Sequence, residues 1–131
     1  MPGNLDALRR FVAKSGVPPE RVRCVPDPTP ETVHAIDRGI LFVMALWSGP
    51  SHRAFAELKT VVERLKAEDK LELVVVDTDG SSALETIPEM NVFHGAGETF
   101  WIRKGKIVSM SGPGLNLDRF KPNTIALLAM P

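Results

Sequence analysis

The sequence predicts an α/β fold in which helices cover both faces of a mixed β-sheet. Residues 40–46 are a continuous apolar run, and residues 71–76 are a second run that only Glu72 interrupts. Both are short for helices and typical of strands buried in the middle of a parallel sheet. Residues 51–66 between them show helical periodicity, and residues 99–110 have the pattern of a hairpin. Parallel units followed by an antiparallel hairpin make a mixed sheet, whose faces the intervening helices then cover.

The elements before the first apolar run are a helix, a strand and a second, short helix. Apolar residues recur at helical spacing in residues 5–14, and Asn4 is placed to cap the first turn. Residues 21–25 alternate between charged and apolar, which is typical of a half-buried strand. Pro30 follows Thr29, so we predict a short helix with a threonine cap and a proline in its first turn.

Three more helices are predicted after the first apolar run. The longest begins after residues 48–50 and carries an apolar stripe made of Phe55, Leu58, Val61, Val62 and Leu65. A short helix capped by Ser81 or Ser82 follows the second apolar run. The last helix covers residues 121–130, where Pro122 suits the first turn.

The composition is that of one globular domain with no net charge. The chain has 131 residues, 44% hydrophobic and 24% charged, and its 16 basic and 16 acidic residues cancel. Zero net charge argues against a nucleic-acid partner, which requires a basic surface. The apolar runs are well below the roughly 18 residues of a membrane span. Residues 1–10 lack a secretory-signal pattern, so a cytoplasmic protein with no membrane partner is expected.

Residues 47–51 form a motif that resembles the redox centre of the thioredoxins. Their sequence, Trp47-Ser48-Gly49-Pro50-Ser51, follows an apolar strand and precedes a long amphipathic helix. The thioredoxin motif in the same setting is Trp-Cys-Gly-Pro-Cys, so serine stands here at both cysteine positions. Residues 75–79 resemble the family's third strand with its acidic end, and residues 99–108 resemble its closing hairpin.

The resemblance implies a thioredoxin-like three-layer sandwich, with a central mixed sheet and helices on both faces. The order of elements matches the thioredoxin-like family from Val22 to the final helix. We therefore predict a short helical extension at residues 1–20 and a thioredoxin-like domain at residues 21–131.

Further departures from the family lie at the same centre. By resemblance, the family's buried aspartate aligns with Phe42, the lysine paired with it aligns with Val75, and its cis-proline aligns with Gly97. Thioredoxin chemistry needs an activated thiolate and a second, resolving thiol, and serine provides neither. Without thiols, a buried acid and base would only cost desolvation. Glycine in place of the proline predicts a freer loop.

The expected function is therefore protein binding without thiol-disulfide catalysis, in an accessory, chaperone-like or regulatory role. The resemblance implies that an unidentified protein partner docks on the motif and on the loop opposite it, where thioredoxins bind their substrates. That surface comprises Trp47, Ser48, Gly49, Pro50, Ser51, Phe93, Ala96 and Gly97. No catalytic residue, cofactor or metal is predicted, and the oligomeric state is left open.

The alternative is a thioredoxin-like enzyme that uses Cys24 or a site near two histidines. We expect Cys24 to point with Arg21 and Arg23 on a partly exposed strand face, unless the strand register differs. The charges of the arginines would there lower the pKa of the thiol and make it reactive. A cofactor or metal would be held near His52 and His94, although zinc sites usually have three or four ligands.

Ser48 and His52 also suggest a hydrolase, since they are four residues apart at a helix start. No acid partner is specified by the sequence, and triads are recognised by geometry. A serine at a helix start is more often a cap, so we predict that role for Ser48.

Overall fold

The computed structural model describes residues 2–90, 93, 95–112 and 116–131. Within these ranges the strands are β1 (Val22–Val25), β2 (Arg38–Met44), β3 (Glu72–Asp77), β4 (Thr99–Arg103) and β5 (Lys106–Met110). The helices are α1 (Leu5–Ser15), α2 (Pro30–His34), α3 (Gly49–Arg64) and α4 (Phe120–Ala129), with short 3₁₀ segments between some of them. The predicted order of elements is confirmed.

The strands form one mixed sheet in the order β1-β3-β2-β4-β5. The pairs β1–β3 and β3–β2 are parallel, whereas β2–β4 and β4–β5 are antiparallel. The parallel part therefore comes from the first half of the chain and the antiparallel hairpin from the second, which confirms the predicted fold class.

Local signals in the sequence fix where the elements begin and turn. The Asn4 side chain accepts a hydrogen bond from the Ala7 N–H at 3.0 Å and caps α1. Thr29 and Thr32 form a reciprocal capping box at the start of α2. Lys104 and Gly105 join β4 to β5 with φ angles of 52° and 75°, the left-handed backbone that a tight hairpin requires.

The side chains of the sheet separate into two apolar clusters, one on each face. In β2, Phe42 and Met44 belong to the cluster shared with α1, α3 and α4, and Leu41 and Val43 belong to the other. The second cluster is covered by Val33 of α2 and by the 3₁₀ segments between β3 and β4. β2 is thus buried on both faces, as its continuous apolar run predicted, and the molecule has three layers.

Two details differ from the prediction or extend it. The segment expected to be a helix capped by Ser81 or Ser82 is a 3₁₀ helix, Ser82–Thr86, and Ser81 makes no side-chain cap. α1 contributes Leu8 and Val12 to the same cluster as the sheet. The division into segments 1–20 and 21–131 stays a prediction.

In the same described ranges, the chain has no helix that is long and apolar enough to cross a membrane.

Candidate functional site

The motif lies where β2 ends and α3 begins. β2 ends at Met44, and the backbone of Ser48 takes the cap position of α3, with Gly49 and Pro50 in the first turn. Proline is favoured there because it has no N–H to leave unsatisfied. This edge also receives the carboxyl end of β3, because Met44 is paired with Asp77 in the parallel register. In open α/β sheets such edges are the usual location of binding sites.

The hydroxyl of Ser48 is held by the opposite loop. Its Oγ donates a hydrogen bond to the Gly95 carbonyl at 2.5 Å, and the residue is 9% exposed. The side chain makes no hydrogen bond to the N–H groups of α3, so the predicted capping role is wrong for this hydroxyl. The physical reason is the direction of the side chain, which is turned towards the Gly95 carbonyl and away from the free N–H groups of the first turn of α3. Ser48 thus fastens the helix start to the loop.

The hydroxyl of Ser51 is directed into the protein. Its Oγ accepts a hydrogen bond from the Ala45 N–H at 2.9 Å and lies 3.4 Å from the Met44 sulfur. Ser51 is completely buried. This hydroxyl therefore satisfies a backbone donor just beyond the end of β2, where the sheet hydrogen bonds stop.

Phe42 and Val75 lie beneath the motif and are direct neighbours across β2 and β3. Both are fully buried in the cluster that α3 covers. The Phe42 ring packs edge-on against Phe55 of α3, with 5.2 Å between ring centroids. The interior under the motif is therefore apolar at the two positions that the resemblance aligns with the acid–base pair.

Gly97 is pressed against this interior. Its φ is +79°, and a Cβ added there would lie 2.5 Å from the Ala54 Cβ and 3.1 Å from Phe42 Cζ. A proline, fixed near a φ of about −65°, does not fit this backbone. The sequence predicted a freer loop at this glycine, but the structure shows a tightly packed one. Glycine is required here because the loop backbone lies directly on α3.

Trp47 stands on the surface beside the closed interior. It is 68% exposed, and its ring lies over Gly95, where an added Cβ would be 2.5 Å from Trp47 Cη2. A groove of about 340 Å³ opens next to it, lined by Trp47, Thr78, Asp79, Ser82, Glu85, Phe93 and Gly95. The structure thus places Trp47 and Phe93 in the lining of one groove. Pro50 and Ala96, which were expected in the same patch, do not line this groove.

The acidic rim of the Trp47 groove was missed by sequence reasoning. Asp79 and Glu85 are exposed and belong to the segment that follows β3. β2 and β3 are parallel neighbours, so the segments after them meet at one edge of the sheet. That adjacency was the signal available in the sequence.

The Cys24 side chain does not lie on the strand face where the sequence predicted it, beside the arginines. Strand alternation turns Cys24 and Val22 towards the cluster under the motif, whereas Arg23 is exposed. Burial raises the pKa of the Cys24 thiol, and the nearby charge of Arg9 opposes this only in part. The thiol is half-buried, and its raised pKa disfavours the thiolate, which is the nucleophilic form of cysteine.

His52 is engaged away from Ser48. Its Nε2 lies 2.9 Å from the Leu46 carbonyl, and its ring meets Phe11 edge-on at 5.3 Å between centroids. Ser48 and His52 therefore have separate carbonyl partners and do not form a nucleophile–base pair. His94, the second histidine of the metal hypothesis, lies outside the described residues. Among the residues that are described, no three His, Cys, Asp or Glu side chains are grouped to hold a metal.

Comparisons with known proteins identify the fold. No family profile matches the chain, and no curated protein is significantly similar in sequence. A thioredoxin from Trypanosoma brucei brucei is 15% identical, with a TM-score of 0.62 over 83% of this chain and 92% of that one. A Plasmodium falciparum thioredoxin is 21% identical, with a TM-score of 0.58 over 80% and 97%. Chloroplastic thioredoxin z is 18% identical, with a TM-score of 0.59 over 84% and 96%. The chain has the thioredoxin-like fold.

Proposed function

We propose that this chain is a non-catalytic thioredoxin-like domain that acts by binding another protein. The observation that carries the proposal is the state of the two motif serines. Each hydroxyl makes a hydrogen bond inside the molecule. Ser48 donates to the Gly95 carbonyl, and Ser51 accepts from the Ala45 N–H. Both positions that the resemblance assigns to thiols therefore have a structural use that needs no redox chemistry.

Thiol–disulfide exchange requires a sulfur nucleophile, and the motif has none. A thiolate must attack a disulfide sulfur and form a mixed disulfide, which a second thiol then resolves. The chain's one cysteine, Cys24, lies in β1 and has a raised pKa because of burial. These observations support a domain whose role does not depend on electron transfer.

Trp47 supports the binding half of the proposal. Large exposed aromatic side chains are enriched among the residues that dominate protein interfaces. Here the tryptophan borders a groove with Phe93 on its wall and two carboxylates, Asp79 and Glu85, on its lining. This combination favours a partner segment that presents an apolar side chain next to a lysine or arginine.

Catalysis is tested by reduction of insulin disulfides in the presence of dithiothreitol. We expect the wild-type chain to accelerate insulin precipitation no more than dithiothreitol alone. The variant Ser48→Cys with Ser51→Cys is expected to restore little activity, since Phe42, Val75 and Gly97 leave proton transfer and substrate docking unrepaired. Wild-type activity above background contradicts the proposal. Turnover of the double variant within about tenfold of an ordinary thioredoxin would show that the scaffold alone suffices.

Binding is tested with the immobilised chain and an extract of its source organism. We expect the wild type to retain proteins that the Trp47→Ala variant does not retain. Truncation of a central aromatic residue typically weakens an interface by about tenfold or more. Ile125→Ala is the matched control, because Ile125 is also an exposed apolar residue, on α4. If Trp47→Ala and Ile125→Ala retain the same proteins as the wild type, the Trp47 groove is not the binding surface.

A further inference from the structure

A second and larger groove lies between α1 and α3. Its volume is about 660 Å³, within the range of small-molecule sites. α1 contributes residues between Ala7 and Ser15, and α3 contributes residues between His52 and Thr60. The lining residues are Ala7, Arg10, Phe11, Lys14, Ser15, Leu46, His52, Phe55, Ala56, Lys59 and Thr60.

The floor of this groove is made of closely packed aromatic rings. The ring of Phe11 meets Phe55 edge-on at 4.8 Å and His52 at 5.3 Å between centroids. Phe55 is buried, and His52 is held by its hydrogen bond to the Leu46 carbonyl. An apolar ligand group would therefore meet an ordered aromatic surface, which needs little rearrangement to bind it.

The rim of the groove is cationic. Arg10, Lys14 and Lys59 line it, and none of its lining residues is acidic. Across the described ranges, none of these three cations has a carboxylate within 4.0 Å. The whole chain has zero net charge, so this excess of positive charge is local. Clefts lined by one sign of charge concentrate ligands of the opposite sign.

The ammonium group of Lys59 lies near the end of α1, at one end of the groove. A Cβ added to Gly16, which follows α1, would lie 3.3 Å from Lys59 Nζ. The carboxyl end of a helix carries partial negative charge and favours a cation. Ser15 and Thr60 donate their hydroxyl protons to the backbone of their own helices, at Val12 and Ala56. Recognition of a negative group therefore falls on the cations.

We propose that the α1–α3 groove binds a small amphipathic anion, an apolar or aromatic group that carries a carboxylate, sulfonate or phosphate. The apolar group lies on Phe11, Leu46 and Phe55, and the anion lies between Arg10, Lys14 and Lys59. Residues 52–60 span only about 12 Å along α3 at 1.5 Å per residue, which suits a small molecule better than a docked helix. This site is separate from the Trp47 groove, whose rim has the opposite charge.

The test uses 8-anilino-1-naphthalenesulfonate and its neutral analogue N-phenyl-1-naphthylamine. We expect the sulfonate to bind saturably with one molecule per chain and the neutral analogue to bind at least about tenfold more weakly. Each of Arg10→Gln, Lys14→Gln and Lys59→Gln is expected to weaken sulfonate binding about threefold, and the triple variant about twentyfold. Lys121→Gln, at an exposed lysine of α4, is the matched control and leaves binding unchanged.

Location is tested separately from charge. Ala56→Leu fills the groove without removing a cation, and we expect it to lower the affinity for the sulfonate by about tenfold. Amide shifts in an NMR titration are expected in residues 7–15 and 52–60. The proposal is overturned if the triple variant or Ala56→Leu binds the sulfonate as tightly as the wild type. It is also overturned if the neutral analogue binds equally well, or if the shifts centre on Trp47 and Asp79. Insulin reduction by the wild type, or the absence of Trp47-dependent capture, would contradict the proposed function and leave this test unaffected.

Discussion

The interior beneath the motif and the surface around it have opposite characters. Ser51, Phe42 and Gly97 are buried, closely packed and held by contacts that leave no room for a substrate. Trp47, a few residues away, is 68% exposed and borders an open groove. The motif sequence thus shapes the start of α3 while the adjoining surface remains open. This contrast is the physical basis for assigning a binding role to the surface and a structural role to the serines.

A charge placed in the closed interior gives the largest expected effect. Phe42→Asp removes a buried ring and leaves an unpaired carboxyl, so we expect a loss of more than about 4 kcal/mol in the free energy of unfolding. Adding Val75→Lys is expected to recover part of this loss, because Val75 is the cross-strand neighbour of Phe42 and a pair can satisfy itself. Denaturant melts of the two single variants and the double variant measure the coupling.

Phe42→Leu is the control, since it keeps the site apolar and is expected to lose much less stability than Phe42→Asp. Strictly additive losses in the Phe42–Val75 cycle would mean that the two side chains do not meet. A Phe42→Asp variant as stable as the wild type would mean that the interior is not closed.

Crowding at Gly97 gives the next largest effect. Gly97→Ala places a Cβ 2.5 Å from the Ala54 Cβ and forces alanine into a φ of +79°. Strain and overpacking together predict a loss of about 2–4 kcal/mol, measured in the same melts. Gly49→Ala is the matched control, because its added Cβ would be 3.6 Å from the nearest atom, in the Arg53 side chain.

The two causes of the Gly97 effect can be separated. Adding Ala54→Gly to Gly97→Ala removes the closest contact and leaves the backbone strain. We expect the double variant to lose less free energy of unfolding than the sum of the losses of the two single variants. The difference measures the crowding between the two residues. If Gly97→Ala is as stable as Gly49→Ala, the loop does not press on α3.

Removal of the buried hydroxyl of Ser51 has a smaller effect. Ser51→Ala leaves the Ala45 N–H without its partner inside the protein, and we expect a loss of about 1–3 kcal/mol. Ser48→Ala is the comparison, because Ser48 is a little more exposed and its loss leaves an acceptor, the Gly95 carbonyl, without this donor. Equal stability of Ser51→Ala and the wild type, measured by chemical denaturation, would contradict a structural role for this serine.

The sequence predicted the fold because its signals are local and periodic. The apolar run that became β2, the capping threonine of α2 and the Lys104–Gly105 turn each act over a few residues. The motif and its departures also predicted a site at this edge of the sheet, which stays a prediction. Alternation along β1 was misread for Cys24, whose side chain faces the core with Val22.

What the sequence could not predict are contacts between segments far apart in the chain. The bond from Ser48 to the Gly95 carbonyl joins residues 47 positions apart, and the packing of Gly97 on Ala54 joins the same two segments. The groove between α1 and α3 depends on how two helices lie on one sheet face. Such contacts arise from tertiary packing, which helical or strand periodicity in the sequence does not predict.

The smallest expected effect is at Trp47, and the chain's second tryptophan provides its control. Trp47→Ala is expected to change the free energy of unfolding by less than about 0.5 kcal/mol, because a side chain that is 68% exposed gains little from folding. Trp101 is fully buried and its Nε1 donates to Thr124 Oγ1 at 3.0 Å, so Trp101→Ala is expected to lose several kcal/mol. Denaturant melts followed by far-ultraviolet circular dichroism compare the two without relying on tryptophan fluorescence. A loss for Trp47→Ala approaching that for Trp101→Ala would mean that Trp47 belongs to the core. A small loss, together with loss of captured protein in the binding test, would mean that Trp47 contributes to binding and little to folding.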